Sequence, residues 1–185
     1  IAQTGQLYDT GSLGNTPREL ELAYVRQTAN AAFRYAETIK TAYSRGKNQV
    51  DYPTDNNLAE QLAIVAKLIK GNLGTRVFMV EIGGFDTHAE QLDYHLGQLN
   101  KIAEGVKAFF DDIAFGGSGL EQKVLGMTFS EFGRTIYENA SLGTDHGWGT
   151  PMMLFGGGIG NGFTGQYQDL SNPDPYTDPP FSVDF

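Results

Sequence analysis

Two of the three histidines in this chain stand beside an aspartate in a glycine-flanked turn: Gly83-Gly84-Phe85-Asp86-Thr87-His88 and Gly143-Thr144-Asp145-His146-Gly147. A carboxylate and an imidazole two residues apart on a turn can reach one divalent ion. Hard oxygen with neutral nitrogen suits zinc, manganese or iron. Both pairs also have plain structural readings. Asp86 or Thr87 could cap a helix with His88 as a bystander, and Asp145-His146 could form an Asx-turn that carries a surface imidazole. The third histidine, His95, falls inside a helical pattern and reads as a partly buried helix residue.

A third segment with chemical potential is Ser130-Glu131-Phe132-Gly133-Arg134-Thr135. Glu131 could bind metal or act as a general base. It could equally belong to an N-terminal capping box or pair with Arg134. The planar guanidinium of Arg134 makes it the best local group for gripping a phosphate or sulfate through two hydrogen bonds. The run Gly156-Gly157-Gly158-Ile159-Gly160-Asn161-Gly162 resembles a phosphate cradle only loosely. It lacks a P-loop lysine and no helix signal follows it, which argues against nucleotide binding.

The elements that must position these residues can be read from periodicity. Thr16-Pro17-Arg18-Glu19 combines a cap, a first-turn proline and a capping-box glutamate. Apolar residues at helical spacing from Leu20 to Tyr43 extend that start into a helix over 17–45. A second helix is expected over 58–70, stopped by Gly71. Residues 76–82 form a short apolar run that reads as a buried strand of a parallel sheet. A third helix is expected from near Thr87 to Asp112, then strands at 123–129 and 151–155. In this alternation the candidate residues follow the first two strands and precede the third, and open α/β sheets bind ligands beyond their strand ends.

The chain has 185 residues, 24 of them glycine, with a formal net charge of −9 and no cysteine. The length fits a single α/β domain spanning 1–185, or the C-terminal fragment of one. Residues 1–15 are expected to be loosely held, and 163–185 to form an irregular, proline-rich tail. Such an acidic chain lacks the basic footprint of a nucleic-acid binder. An anionic substrate would need a metal or a local arginine to offset the field. Without cysteine, disulfides and thiolate metal sites are excluded, a composition that fits an exported protein. No apolar stretch is long enough for a transmembrane segment. The start at Ile1 and the end at Phe185 read as those of a mature or trimmed chain.

Taken together, Gly-Gly-Phe-Asp-Thr-His at 83–88, Ser-Glu-Phe-Gly-Arg-Thr at 130–135, Glu138-Asn139, Gly-Thr-Asp-His-Gly at 143–147 and the glycine-rich run after 155 resemble the bacterial domain-of-unknown-function family 1501. That family is similar to alkaline phosphatases and sulfatases, and the resemblance runs from about Leu58 to Phe185. It implies an incomplete, alkaline-phosphatase-like layered sheet flanked by helices, and export to the bacterial periplasm. Two alignments follow from it. In one, Asp145-His146 is the Asp-His pair of a second metal. In the other, which we prefer, Asp86, His88 and His146 share one divalent ion, and Glu131 and Phe132 occupy the places of that Asp-His pair. Phe132 then stands where the second metal's histidine would be, so one metal site rather than two is expected. The nucleophile would lie upstream of Ile1.

The function so implied is metal-dependent hydrolysis of a small phosphate or sulfate ester. Asp86, His88, His146 and Asp145 are the metal candidates, and Glu131 and Arg134 the catalytic ones. The alternative is a non-catalytic exported binding or assembly protein on the same fold. The tyrosine- and phenylalanine-rich loops would then supply its interaction surface.

Overall fold

The computed structural model describes residues 7–11, 13–147 and 149–165. Helix α1, Pro17–Arg45, begins with the capping box legible in the sequence: the Thr16 side chain accepts from Glu19 N, while Glu19 reaches back to Thr16 N. Helix α2, Asn57–Lys70, is capped by Asn56, whose Oδ1 accepts from Ala59 N and whose Nδ2 donates to Lys101 O. One buried side chain therefore both caps α2 and ties it to helix α3, Gln91–Ala114.

Small residues set how closely the helices approach. A Cβ on Gly46 would overlap the Lys67 carbonyl, and one on Gly71 would overlap that of Ala42. The C-terminal ends of α1 and α2 therefore cross with backbone against backbone. Ala66, Phe109 and Ile113 form the core between α2 and α3, with Leu62, Val65, Ile69, Phe110 and Val124 packed against them. Asp112 is fully buried there and is neutralised by Lys70, with Gln49 N and the Tyr52 hydroxyl donating to its carboxylate. Half-burial and the Asp112 charge push the Tyr52 phenol well above its ordinary range.

The strand regions differ from the sequence reading. Residues 76–82 show the period of an extended strand. Phe78, Val80 and Ile82 are half-buried, whereas Val77 and Met79 are exposed at 83% and 80%. Yet this segment pairs with no strand among the described residues. The side chain of Gln61 grips it at Glu81 N and O, and Gln98 Nε2 donates to Gly83 O. The pairing that does occur is antiparallel and short. Strand β1 (Gly126–Met127) pairs with β4 (Leu154–Phe155), and β2 (Gly133–Arg134) with β3 (His146–Gly147). Leu92, Leu96 and Leu99, part of the apolar pattern of α3, are exposed. No helix among the described residues is long and apolar enough to cross a membrane. The N-terminal segment is described only in part, and most of the expected tail (166–185) lies outside the described residues.

Helix α3 also starts later than expected, at Gln91 rather than near Thr87. The backbone of 87–91 is taken by another partner. Ala89 bridges Leu142, Glu90 N and Gln91 N donate to Ser141 O and Leu142 O, and Thr144 N donates to Thr87 O. Those exchanges clamp the 83–91 loop to the 139–147 loop, and the clamp builds the site.

Candidate functional site

Three devices, two of backbone and one of a side-chain amide, bring the distant segments together. Ladder β2–β3 sets Arg134 opposite His146. Gly143 lies so close to His88 that a Cβ there would overlap the His88 backbone, so a side chain at 143 would push the two loops apart. Asn139 is the hub of the second loop. Its Oδ1 accepts from Ser141 N and Gly143 N, and its Nδ2 donates to His88 O and, at 3.3 Å, to Asp145 Oδ1.

The result is a convergence of Asp86, His88 and His146, whose candidate ligand atoms all lie within 4.8 Å of one another. Asp86 Oδ1 is 2.8 Å from His146 Nε2 and 3.0 Å from His88 Nε2. It is 3.3 Å from Nη2 of Arg134. The hydrogen bond from His146 holds the Asp86 carboxyl below the usual carboxylate range, helped by the positive charge of its neighbours. The helix-cap reading of Asp86 does not describe this arrangement. Residue Glu90 precedes α3 without a side-chain cap, and the Asp86 carboxylate faces the two imidazoles instead.

The donor set fits a divalent ion. Two imidazole nitrogens and a carboxylate oxygen make a typical three-ligand zinc set, with room for a fourth ligand. Donors about 2.0–2.1 Å from a tetrahedral ion stand about 3.3 Å apart, and the two separations from Asp86 Oδ1, 2.8 Å to His146 and 3.0 Å to His88, fall slightly inside that spacing. His88 adds a chemical reason. Its Nδ1 is 3.0 Å from Asp145 Oδ1 and its Nε2 is 3.0 Å from Asp86 Oδ1. A neutral imidazole has one proton for two carboxylates, so the second contact requires another proton or a cation. Asp145, accepting from His88 and then from Asn139, is likewise held below the ordinary carboxylate range.

Aromatic contacts fix the imidazole planes. His146 stacks on Phe132 with ring centroids 4.0 Å apart and planes 4° from parallel, and the His88 ring lies 5.0 Å away from the His146 ring. The Arg134 guanidinium sits 5.0 Å from the Phe132 centroid. His95 is half-buried in α3, edge-on to Phe85, and outside the cluster.

Arg134 is placed differently from its sequence reading. Nη1 donates to Thr144 O at 2.9 Å, and Nη2 to Phe85 O and Asp86. Both terminal nitrogens thus tie the loops together, and Arg134 brings positive charge to the cluster while serving as a strut. Glu131 is exposed, and the Arg134 ion pair is with Asp86. Glu131 borders a groove beside His146 that is also lined by Ser130, Phe132 and Thr150. Sequence reasoning gave no role to Asn139 or Thr135. Thr135 Oγ1 accepts from Asp145 N, and Thr135 N donates to Asp145 O. An asparagine just ahead of a glycine-flanked Asp-His turn is a usable signal, because its short amide satisfies loop amides.

The model of a family described as a protein of unknown function, DUF1501, matches residues 10–179. No curated protein and no solved structure matches the chain.

Proposed function

We propose, on the premise that this chain belongs to the DUF1501 family of proteins of unknown function, that it is a metal-dependent hydrolase of small phosphate or sulfate esters. The observation carrying this reading is the convergence of Asp86, His88 and His146 within 4.8 Å from two loops distant in the sequence. The resemblance to alkaline phosphatases and sulfatases supplies the substrate class. A layered α/β sheet and a periplasmic location belong to the same reading.

Asp86, His88 and His146 would hold the ion, and its fourth position would face solvent or substrate. When bound, a divalent ion supplies Lewis acidity, polarising an ester oxygen or lowering the pKa of water. The chain's own residues orient and balance charge. Phe132 fixes the plane of His146, and Arg134 sets a cation beside Asp86 in a protein of net charge −9. Glu131, on the groove beside His146, is the candidate to accept a proton from an attacking water.

The test is elemental analysis of the purified full-length protein, before and after chelation and reloading, with turnover assays on an aryl phosphate and an aryl sulfate. About one divalent ion per chain is expected, together with turnover of one ester that chelation and His146→Ala abolish. Absence of both metal and turnover ends this reading. Metal uptake with neither ester cleaved would favour a non-catalytic binding protein.

A further inference from the structure

Asp145 touches His88 on the side away from Asp86. Its Oδ1 is 3.0 Å from His88 Nδ1, whereas the cluster atom of His88 is Nε2, 3.0 Å from Asp86 Oδ1. The ligand set that closes within 4.8 Å contains Asp86, His88 and His146, without Asp145. Asp145 is itself held from the far side. Asn139 Nδ2 donates to the same Oδ1, the Asp145 amide donates to Thr135 Oγ1, and Thr135 N donates to the Asp145 carbonyl. The same Asn139 amide also holds the His88 carbonyl. Backbone and ring of His88 are therefore referred to one rigid loop.

We propose that Asp145 is a positioning residue rather than a metal ligand: it accepts the Nδ1 proton of His88 and so fixes the tautomer whose Nε2 lone pair faces Asp86 and His146. This inference deepens the metal-site reading above and rests on it. The physical logic is that of a carboxylate orienting a ligating histidine. The outer acceptor selects which nitrogen carries the proton, restrains rotation of the ring, and makes the inner nitrogen a better donor. The one-centre arrangement then needs no second ion at the Asp145-His146 pair, because Asp145 and His146 face different atoms.

Three measurements on one set of proteins test this. Zinc binding is titrated calorimetrically into wild type, Asp145→Asn and Asp145→Ala. Zinc-edge X-ray absorption reads the coordination set. Nitrogen-15 spectra of the metal-free histidine rings, taken at alkaline pH where imidazole is neutral, read the tautomer. Asp145→Ala is expected to weaken zinc about 10- to 100-fold while keeping two nitrogen donors and one carboxylate. Asp145→Asn, whose amide oxygen still accepts, should fall between it and wild type. His88 should carry its proton on Nδ1 in wild type and become a tautomer mixture in Asp145→Ala. Unchanged affinity in Asp145→Ala, loss of an oxygen ligand in that variant, or a wild-type His88 protonated on Nε2 would each overturn the assignment. Should wild type bind no zinc, the metal-site reading falls, and the ring spectra still decide whether Asp145 sets the tautomer.

Discussion

His146 lies flat against Phe132, ring centroids 4.0 Å apart and planes 4° from parallel. The resemblance would place a metal-binding histidine at 132. The phenylalanine found there instead acts as a wall for the histidine that takes part in the cluster. An aromatic pair of this kind contributes about 0.5–1.5 kcal/mol beyond its buried area. Phe132→Ala should therefore weaken zinc binding about 2- to 10-fold, with its stoichiometry kept. Phe132→Tyr keeps the ring and should stay close to wild type. Calorimetric titration of the two variants checks this, and equal affinity in Phe132→Ala would show that the wall is dispensable.

Arg134 joins three groups from two loops: Thr144 O, Phe85 O and the Asp86 carboxylate. Its side chain is only 17% exposed. Removing it leaves carbonyls without donors and a carboxylate without its cation. We expect Arg134→Ala to cost about 2 kcal/mol and to lower the melting midpoint by about 4–8 °C. Arg134→Lys should rescue little, since one ammonium cannot span acceptors that a planar guanidinium reaches together. If Arg134 served only to grip an anionic substrate, both variants would melt like wild type and differ only in KM.

Helices α1 and α2 are legible because each carries a local signature, and α3 through its apolar spacing alone. Thr16-Pro17-Glu19 starts α1, Gly46 and Gly71 close α1 and α2, and apolar residues recur at helical spacing between them. The start of α3 at Gln91 rather than near Thr87 is not legible locally, because nothing near Thr87 shows that its carbonyl and the following amides are claimed by residues 141–144. That competition is long-range. The apolar run 76–82 carries strand periodicity, but a ladder needs a neighbour, which periodicity alone does not specify. At the site, residue types and turn glycines made Asp86, His88 and His146 readable as ligands. The division of labour between Asp86 and Asp145 depends on which nitrogen of His88 each one meets. No linear spacing encodes that.

Asp112 offers a second stability test away from the site. Its buried carboxylate takes Lys70, Gln49 N and the Tyr52 hydroxyl. Asp112→Ala strips one partner from a buried ion pair, a change that costs about 3–5 kcal/mol, and urea unfolding measures it. A pH effect accompanies it. The Tyr52 phenol is raised in the folded state by burial and by the Asp112 charge. The folded protein therefore holds this proton when the unfolded chain has released it. The Tyr52 contribution is fully present below about pH 10 and is lost as pH climbs toward the raised folded value. Wild type should lose urea resistance through that alkaline range more steeply than Tyr52→Phe. Parallel alkaline slopes for the two proteins would contradict the coupling.

Acid should open the site before it melts the helices. Asp86 and Asp145 both titrate below the ordinary carboxylate range when folded, chiefly through hydrogen bonds from His146 and His88 respectively. A depressed folded pKa means that the unfolded loop takes up protons first as pH falls. The stabilisation is thus intact above about pH 4 and declines as pH passes below the ordinary carboxylate pKa toward the lower folded values. Both carboxylates are exposed, so the effect is local and screened by salt. It belongs to the clamp between the 83–91 and 139–147 loops. Hydrogen exchange, corrected for intrinsic rates, should show the amides of Glu90, Gln91 and Thr144, which donate across that clamp, losing protection on acidification. Amides within α2 and α3 should hold theirs over the same range. Asp86→Asn with Asp145→Asn should flatten the acid dependence of the clamp amides while leaving the helices as they were. Identical acid profiles in wild type and the double variant would show that these carboxylates do not hold the loops together.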